Sequence, residues 1–182
     1  MTTELKSTSV EKTDDPTLPS PEIAGRIGGL QTRLAGNHDE VRAAQHIRFQ
    51  VFRKSTERDA SGLDADDYDA TFDHLLVLDD AATDNLGIVA TQRLQTRMAE
   101  SGAQGLYSSS QFDLEELMCR HSGKCFMELG RSCILPAYRG KRTMELLWHG
   151  TWDYARKRSV DVMFGCASFT TTDPETIVDE LS

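Results

Sequence analysis

No stretch of this 182-residue sequence approaches the ~18 consecutive apolar residues of a membrane span, so any work at a membrane is done from its surface. No CxxC pair occurs among Cys119, Cys125, Cys133 and Cys166, and no secretory leader is legible ahead of them. Reduced thiols in a cytoplasmic protein are the expectation, at the inner face of the membrane if it meets one. Cys119, His121 and Cys125 fall close together, yet a fourth ligand at familiar zinc spacing is missing, so no metal is expected. Positive charge is also short: 29 acidic against 20 basic residues give a net charge of -9. That balance argues against nucleic acid as a partner and favours a cationic small substrate. Residues 1–20 lack aromatics and are closed by prolines, a composition that cannot repay its ordering entropy. Residues 1–22 are therefore read as a disordered tail and 23–182 as one domain.

What is present is a periodic pattern that alternates between helix and strand. A helix is predicted over 38–54, with Asn37 as its cap, Glu40 three residues on, and Val41, Ala44, Ile47, Val51 and Phe52 as its apolar stripe. His74–Leu78 and Gly87–Leu94 read as two strands of an antiparallel hairpin joined by a turn-rich loop. A short helix near Asp113–Met118 follows, then a strand over Phe126–Leu135, a turn over Pro136–Lys141 and a helix over Arg142–Arg158. In that helix Met144, Leu147, Trp148, Thr151, Trp152 and Ala155 recur at three and four, which assigns both tryptophans to core or groove packing. Val160–Gly165 reads as a short buried strand, and Asp173 with Pro174 opens a last helix. The order implies an α/β fold with a mixed sheet and helices on its faces.

Two clusters carry chemistry. Between 59 and 73 the sequence holds six aspartates and no basic residue, and crowded carboxylates must be solvated or matched by a cation. Asp-x-Asp spacing invites calcium, but the glycine and terminal glutamate of an EF-hand loop are absent at the required offsets. Asp67, Asp69 and Asp73, beside Tyr68 and His74, are the preferred cation-binding residues. Glu128 and Arg131 lie three apart on one strand, with Gly130 between them permitting a bulge that would bring them to one face. Glu128 is the candidate proton acceptor, with Arg131 pairing with it or with a substrate carboxylate. Arg93, near a strand end, is a second candidate carboxylate clamp, because arginine grips carboxylates in two-pronged geometry. Cys133 is set aside as a nucleophile, since no paired base can be identified for it.

Arg48–Phe52, the acidic loop, IVATQRL at 88–94, YSSSQFDL at 107–114, ELGRSCILPAYRG at 128–140, LWHGTWDYA at 147–155 and FGCASF at 164–169 follow one another in an order with a family likeness. The chain resembles the L-ornithine Nα-acyltransferases of ornithine-lipid synthesis, within the GCN5-related N-acetyltransferase fold, and more distantly the acyl-homoserine-lactone synthases. The resemblance implies transfer of a 3-hydroxy fatty acyl group from acyl carrier protein to the α-amine of ornithine, with no cofactor beyond the carrier thioester. An acceptor with two ammonium groups suits the acidic loop. The fold's usual donor turn, R/Q-x-x-G-x-G/A, reads Arg139-Gly140-Lys141-Arg142-Thr143-Met144 here. Two glycine positions are filled, while Arg139, Lys141 and Arg142 gather positive charge suited to an acidic carrier protein. The amphipathic product implies peripheral membrane contact. A lactone-type synthase, another amino-acid N-acyltransferase, and a non-catalytic fragment that binds acyl carrier protein stay open as alternatives. Only seventeen residues follow Gly165, too few for the helix and two strands the fold normally adds, so the fold is expected to be incomplete at its C-terminus.

Overall fold

The structure, a computed structural model, describes residues 22–52 and 61–167. Its core is a six-stranded sheet in the order β1 (Ile23–Ile27), β2 (Leu30–Leu34), β3 (Asp73–Asp79), β4 (Ile88–Met98), β5 (Cys125–Ile134) and β6 (Val162–Phe164). The first five strands pair antiparallel, and β6 joins β5 in parallel after a helical crossover. This is the mixed α/β sheet expected.

Among the described residues, three α-helices accompany it. The first, α1 (His38–Phe52), starts as predicted: Asn37 Oδ1 accepts from Glu40 N at 3.0 Å. Glu40 in turn accepts from Gly36 N at 2.8 Å and pairs with Arg33, satisfying donors that the helix start leaves open. The second, α2 (Glu115–Arg120), is short, and the third, α3 (Lys141–Lys157), forms the crossover from β5 to β6.

The sheet is covered on both sides, which β3 shows residue by residue. Leu75 and Val77 pack with Leu146, Leu147 and Tyr154 of α3, whereas Leu76 and Leu78 pack with Val41, Ala44 and Ile47 of α1. Strand alternation sends neighbours to opposite faces, so a strand buried on both sides reads as a continuous apolar run, here LLVL.

One element adds to the expected set and two expectations need correction. The hairpin β1–β2 was not foreseen, although Gly28-Gly29, with Gly28 at φ +61°, is the two-residue loop such hairpins use. The stripe on α3 is rotated: Leu147, Thr151 and Ala155 are buried, but Met144, Trp148 and Trp152 are exposed. The sheet takes the face through Thr143, Leu146, Gly150 and Tyr154 instead. Finally, β6 is three residues long and only partly covered, not a buried strand. The helix expected at Asp173, and residues 1–21 of the expected tail, lie outside the described residues.

Candidate active site

The acidic loop turns inward. Asp66 caps a single 3-10 turn over Asp67–Ala70, accepting from Tyr68 N at 3.1 Å, and this turn aims Asp69 at two buried arginines. Arg48 Nη1 and Nη2 each donate to Asp69 at 2.7 Å, and Arg93 Nη1 donates to Asp69 at 2.9 Å and also to Asp66. Arg48 further donates to the Asp64 carbonyl and lies 3.3 Å from the Asp64 carboxylate. Arg131 completes the group, 3.5 Å from Asp64 and 3.7 Å from Asp66. Three arginines thus meet three aspartates. Burial alone would raise the Asp69 pKa, but hydrogen bonds and charge from Arg48, then Arg93, outweigh it and hold the carboxyl well below the usual range. His74 Nε2 sits 3.2 Å from the Asp69 carbonyl oxygen, and burial pushes its pKa down, leaving it neutral at pH 7.

These contacts redistribute the predicted residues. Asp69 and Arg93 are committed to each other, so neither is a free grip for substrate. Asp73 lies on the other face of β3, where it accepts from Tyr154 Oη at 2.7 Å and Arg158 Nη2 at 3.1 Å. Asp67 is exposed on the loop surface. Of the three arginines, only Arg131 keeps appreciable solvent exposure, and its guanidinium stands 5.8 Å over the Phe52 ring.

A bulge in β5 is present, at a slightly different place from that predicted. Arg93 faces Gly130 and Thr91 faces Cys133, so Arg131 and Ser132 stand against Gln92 alone. Arg131 takes φ +49°, and the extra residue swings its side chain toward α1. Gln92 ties the bulge to α3: its amide donates to Ser132 Oγ at 2.8 Å and its carbonyl accepts from Thr151 Oγ1 at 2.6 Å.

Glu128 does not pair with Arg131. It is 1% exposed and accepts from Tyr107 N and Ser108 N, both at 2.7 Å, and from Ser108 Oγ at 2.5 Å. A carboxylate offers about four lone-pair directions, and three are taken. The Ser108 hydroxyl also lies 3.2 Å from Cys166 Sγ, so a chain of polar atoms runs from Glu128 to Cys166. Cys166 is delivered there by Gly165, where an added Cβ would fall 2.3 Å from the Leu129 carbonyl oxygen. Only glycine lets the chain stay that close as it leaves β6.

Two clefts open beside the bulge. One, of about 670 Å³, is mostly apolar and lies between the end of α1 and the start of α3, lined by Val51, Leu147, Met144 and Trp148 with Arg139 and Lys141 at its rim. The other, of about 520 Å³, is more polar and is lined by Arg93, Tyr107, Arg131 and Cys166. Phe52 and Ser132 belong to both. Arg139, Lys141 and Arg142 are all exposed at the helix entrance, where Gly140 is the cap residue. Cys133 also borders the apolar cleft, but burial pushes its thiol up to about 12, which removes the thiolate a nucleophile needs.

A family model described as an acetyltransferase (GNAT) domain matches residues 47–149, more than half of the chain. The chain belongs to the GNAT family. The match contains the arginine–aspartate cluster, the bulge and the donor turn. The chain is 47% identical over 165 residues to an L-ornithine N(alpha)-acyltransferase of Rhizobium meliloti (strain 1021), covering 86% of this chain and 56% of that protein. It is 49% identical over 161 residues to the protein of the same name in Agrobacterium fabrum, covering 84% of this chain and 55% of that one. The chain therefore spans about half the length of the curated relatives it matches. Among solved structures, FeeM, an N-acyl amino acid synthase from uncultured soil microbes, superposes with a TM-score of 0.56 at 16% identity, over 83% of this chain and 75% of its own. That likeness bears on the fold alone.

The contacts that sequence reasoning missed are those of Arg48, Asp64, Asp66 and Ser108. Arg48 left a signal: a charged residue directly after Ile47 in the apolar stripe of α1 must be paired if buried, and the acidic loop is the nearest supply.

Proposed function

We propose that this chain carries the acyl-transfer site of an L-ornithine Nα-acyltransferase, moving a fatty acyl group from acyl carrier protein to the α-amine of ornithine to give lyso-ornithine lipid. The relatives' names support the acceptor. The observation that carries the reading is the junction of an apolar cleft and a polar cleft at Phe52 and Ser132, beside a strand bulge. An acyl thioester arm fits the first and a zwitterionic amino acid the second.

In this reading Arg139, Lys141 and Arg142 receive the acidic carrier, contributing orientation and encounter rate more than affinity. Met144 fills the space that a nucleotide diphosphate would otherwise occupy, so the pantetheine arm enters past it toward Ser132. Arg131, the one partly exposed arginine of the cluster, grips the acceptor carboxylate. Asp67, exposed at the loop surface, attracts its side-chain ammonium, while Asp66, Asp69 and Arg93 hold the floor in place.

An α-amine with a reference pKa of about 8 must shed a proton before it attacks. The neutral amine adds to the thioester carbonyl, and backbone N–H groups of Arg131 and Ser132 steady the oxyanion. The amine proton passes through the Ser108 hydroxyl toward Glu128 and ends on the departing thiolate, leaving an amide and a free carrier thiol.

Incubation with defined acyl carrier protein thioesters and a panel of amino acids, read by mass spectrometry, tests this. N-acylornithine formed only from carrier-linked donor is the expected product. A product from acetyl coenzyme A alone overturns the donor, and equal use of all amino acids overturns the acceptor. Neutralising Arg139, Lys141 and Arg142 together should weaken use of the carrier-linked donor about tenfold more than use of a small thioester mimic, each lost ion pair counting for up to about a factor of five.

A further inference from the structure

The rotated stripe on α3 leaves an apolar line on the outside of the molecule. Met144, Trp148 and Trp152 follow one another at intervals of four, and 47%, 57% and 57% of their surfaces are exposed. Residues four apart stack along one side of a helix. Lys141 and Arg156 lie on that same side, and Arg142 borders it at the helix start; all three are exposed. Glu145 shares the face and lies 3.5 Å from Lys141, which leaves Arg142 and Arg156 as a positive surplus in a protein whose net charge is -9. The opposite side of α3 is fixed on the sheet through Leu146, Leu147 and Tyr154, so the exposed side is presented rigidly.

We infer that this side of α3 is a docking surface for an anionic lipid bilayer. Indole rings settle at the level of lipid headgroups, and arginine or lysine beside them is drawn to a negative leaflet. Apolar rings bordered by cations match that interface, whereas an acidic carrier protein needs only the cations. Met144 and Trp148 also line the apolar cleft, so docking would open that cleft onto the bilayer. This last point rests on the function proposed above; the docking itself does not.

The two tryptophans of the stripe are the only two in the chain, so intrinsic fluorescence reads this face directly. The full chain is mixed with phosphatidylglycerol-containing vesicles and with pure phosphatidylcholine vesicles, with neither donor nor acceptor present. The expected result is a blue shift with the anionic vesicles, quenching by brominated acyl chains, and binding about fivefold weaker for each cation removed, as in Arg156→Gln. Trp152→Ser should reduce vesicle flotation by about tenfold while the melting temperature stays put. Absence of brominated-lipid quenching overturns the inference. So does a blue shift that follows protein concentration without lipid, which would assign the face to a second copy of the chain. Emission already blue-shifted in the full chain and indifferent to vesicles would assign it to another part of the protein, and would overturn the inference equally. Acyl-transfer activity without vesicle binding would leave the proposed function intact and remove only the docking surface.

Discussion

Asp69→Asn places an amide where one carboxylate now serves Arg48, Arg93 and Gln45 together. The side chains of the two arginines are 0% and 2% exposed, so water cannot step in. An amide offers one oxygen and turns its N–H groups against guanidinium donors. Removing one partner of a buried ion pair costs about 3–5 kcal/mol. Arg48 keeps Asp64 and Arg93 keeps Asp66, so the lower end, ~3 kcal/mol, is expected. At roughly 2–4 °C per kcal/mol for a chain of this size, the melting temperature should fall by roughly 6–12 °C at pH 7. The pH dependence supplies a second check. A carboxyl whose folded pKa is depressed contributes stability that is complete above its unfolded value, 3.8, and is lost as pH falls toward the lowered folded value. The gap between wild type and variant should therefore be the same at pH 7 and pH 5 and narrow below pH 3.8. Thermal melts followed by circular dichroism at those pH values decide it. A shift under about 2 °C at pH 7, or a gap that stays constant into acid, would refute the reasoning.

Three further outcomes are expected. Ser108→Ala removes only the hydroxyl link and leaves two backbone donors on Glu128, so kcat should drop about 10²-fold with KM and melting temperature little changed; unchanged turnover would reject the proton route through Ser108. Cys133→Ala should keep the transfer rate within about twofold, because a thiol pushed up to about 12 is no nucleophile at neutral pH; trapping an acyl-cysteine by mass spectrometry would contradict this. Gly150→Ala adds a methyl 2.7 Å from Thr32 Oγ1 and 2.9 Å from Leu75 Cδ1, so α3 must lift from the sheet at a cost of about 1–3 kcal/mol, measurable by urea denaturation.

Local chemistry determined much of this protein. The cap at Asn37 and Glu40, the LLVL run of β3, the β5–turn–α3 succession and the bulge-permitting Gly130 are each set by neighbours in sequence, and periodicity reports them directly. The Gly28-Gly29 hairpin is equally local, since two adjacent glycines suffice for its turn. What the sequence could not decide was which charges meet. Six aspartates and several arginines admit many pairings, and only the packing of α1 across β4 and β5 brings Arg48, Arg93 and Asp69 together and leaves Arg131 to face the cleft. Glu128 stands out by its spacing from Arg131, yet its partners are Tyr107 and Ser108, twenty-one and twenty residues upstream and joined only by the fold. The face of α3 is the same case. A stripe of six apolar or small residues is wider than the contact a sheet makes, and the tertiary arrangement alone chose Leu147, Thr151 and Ala155 for the interior and turned two tryptophans to the outside.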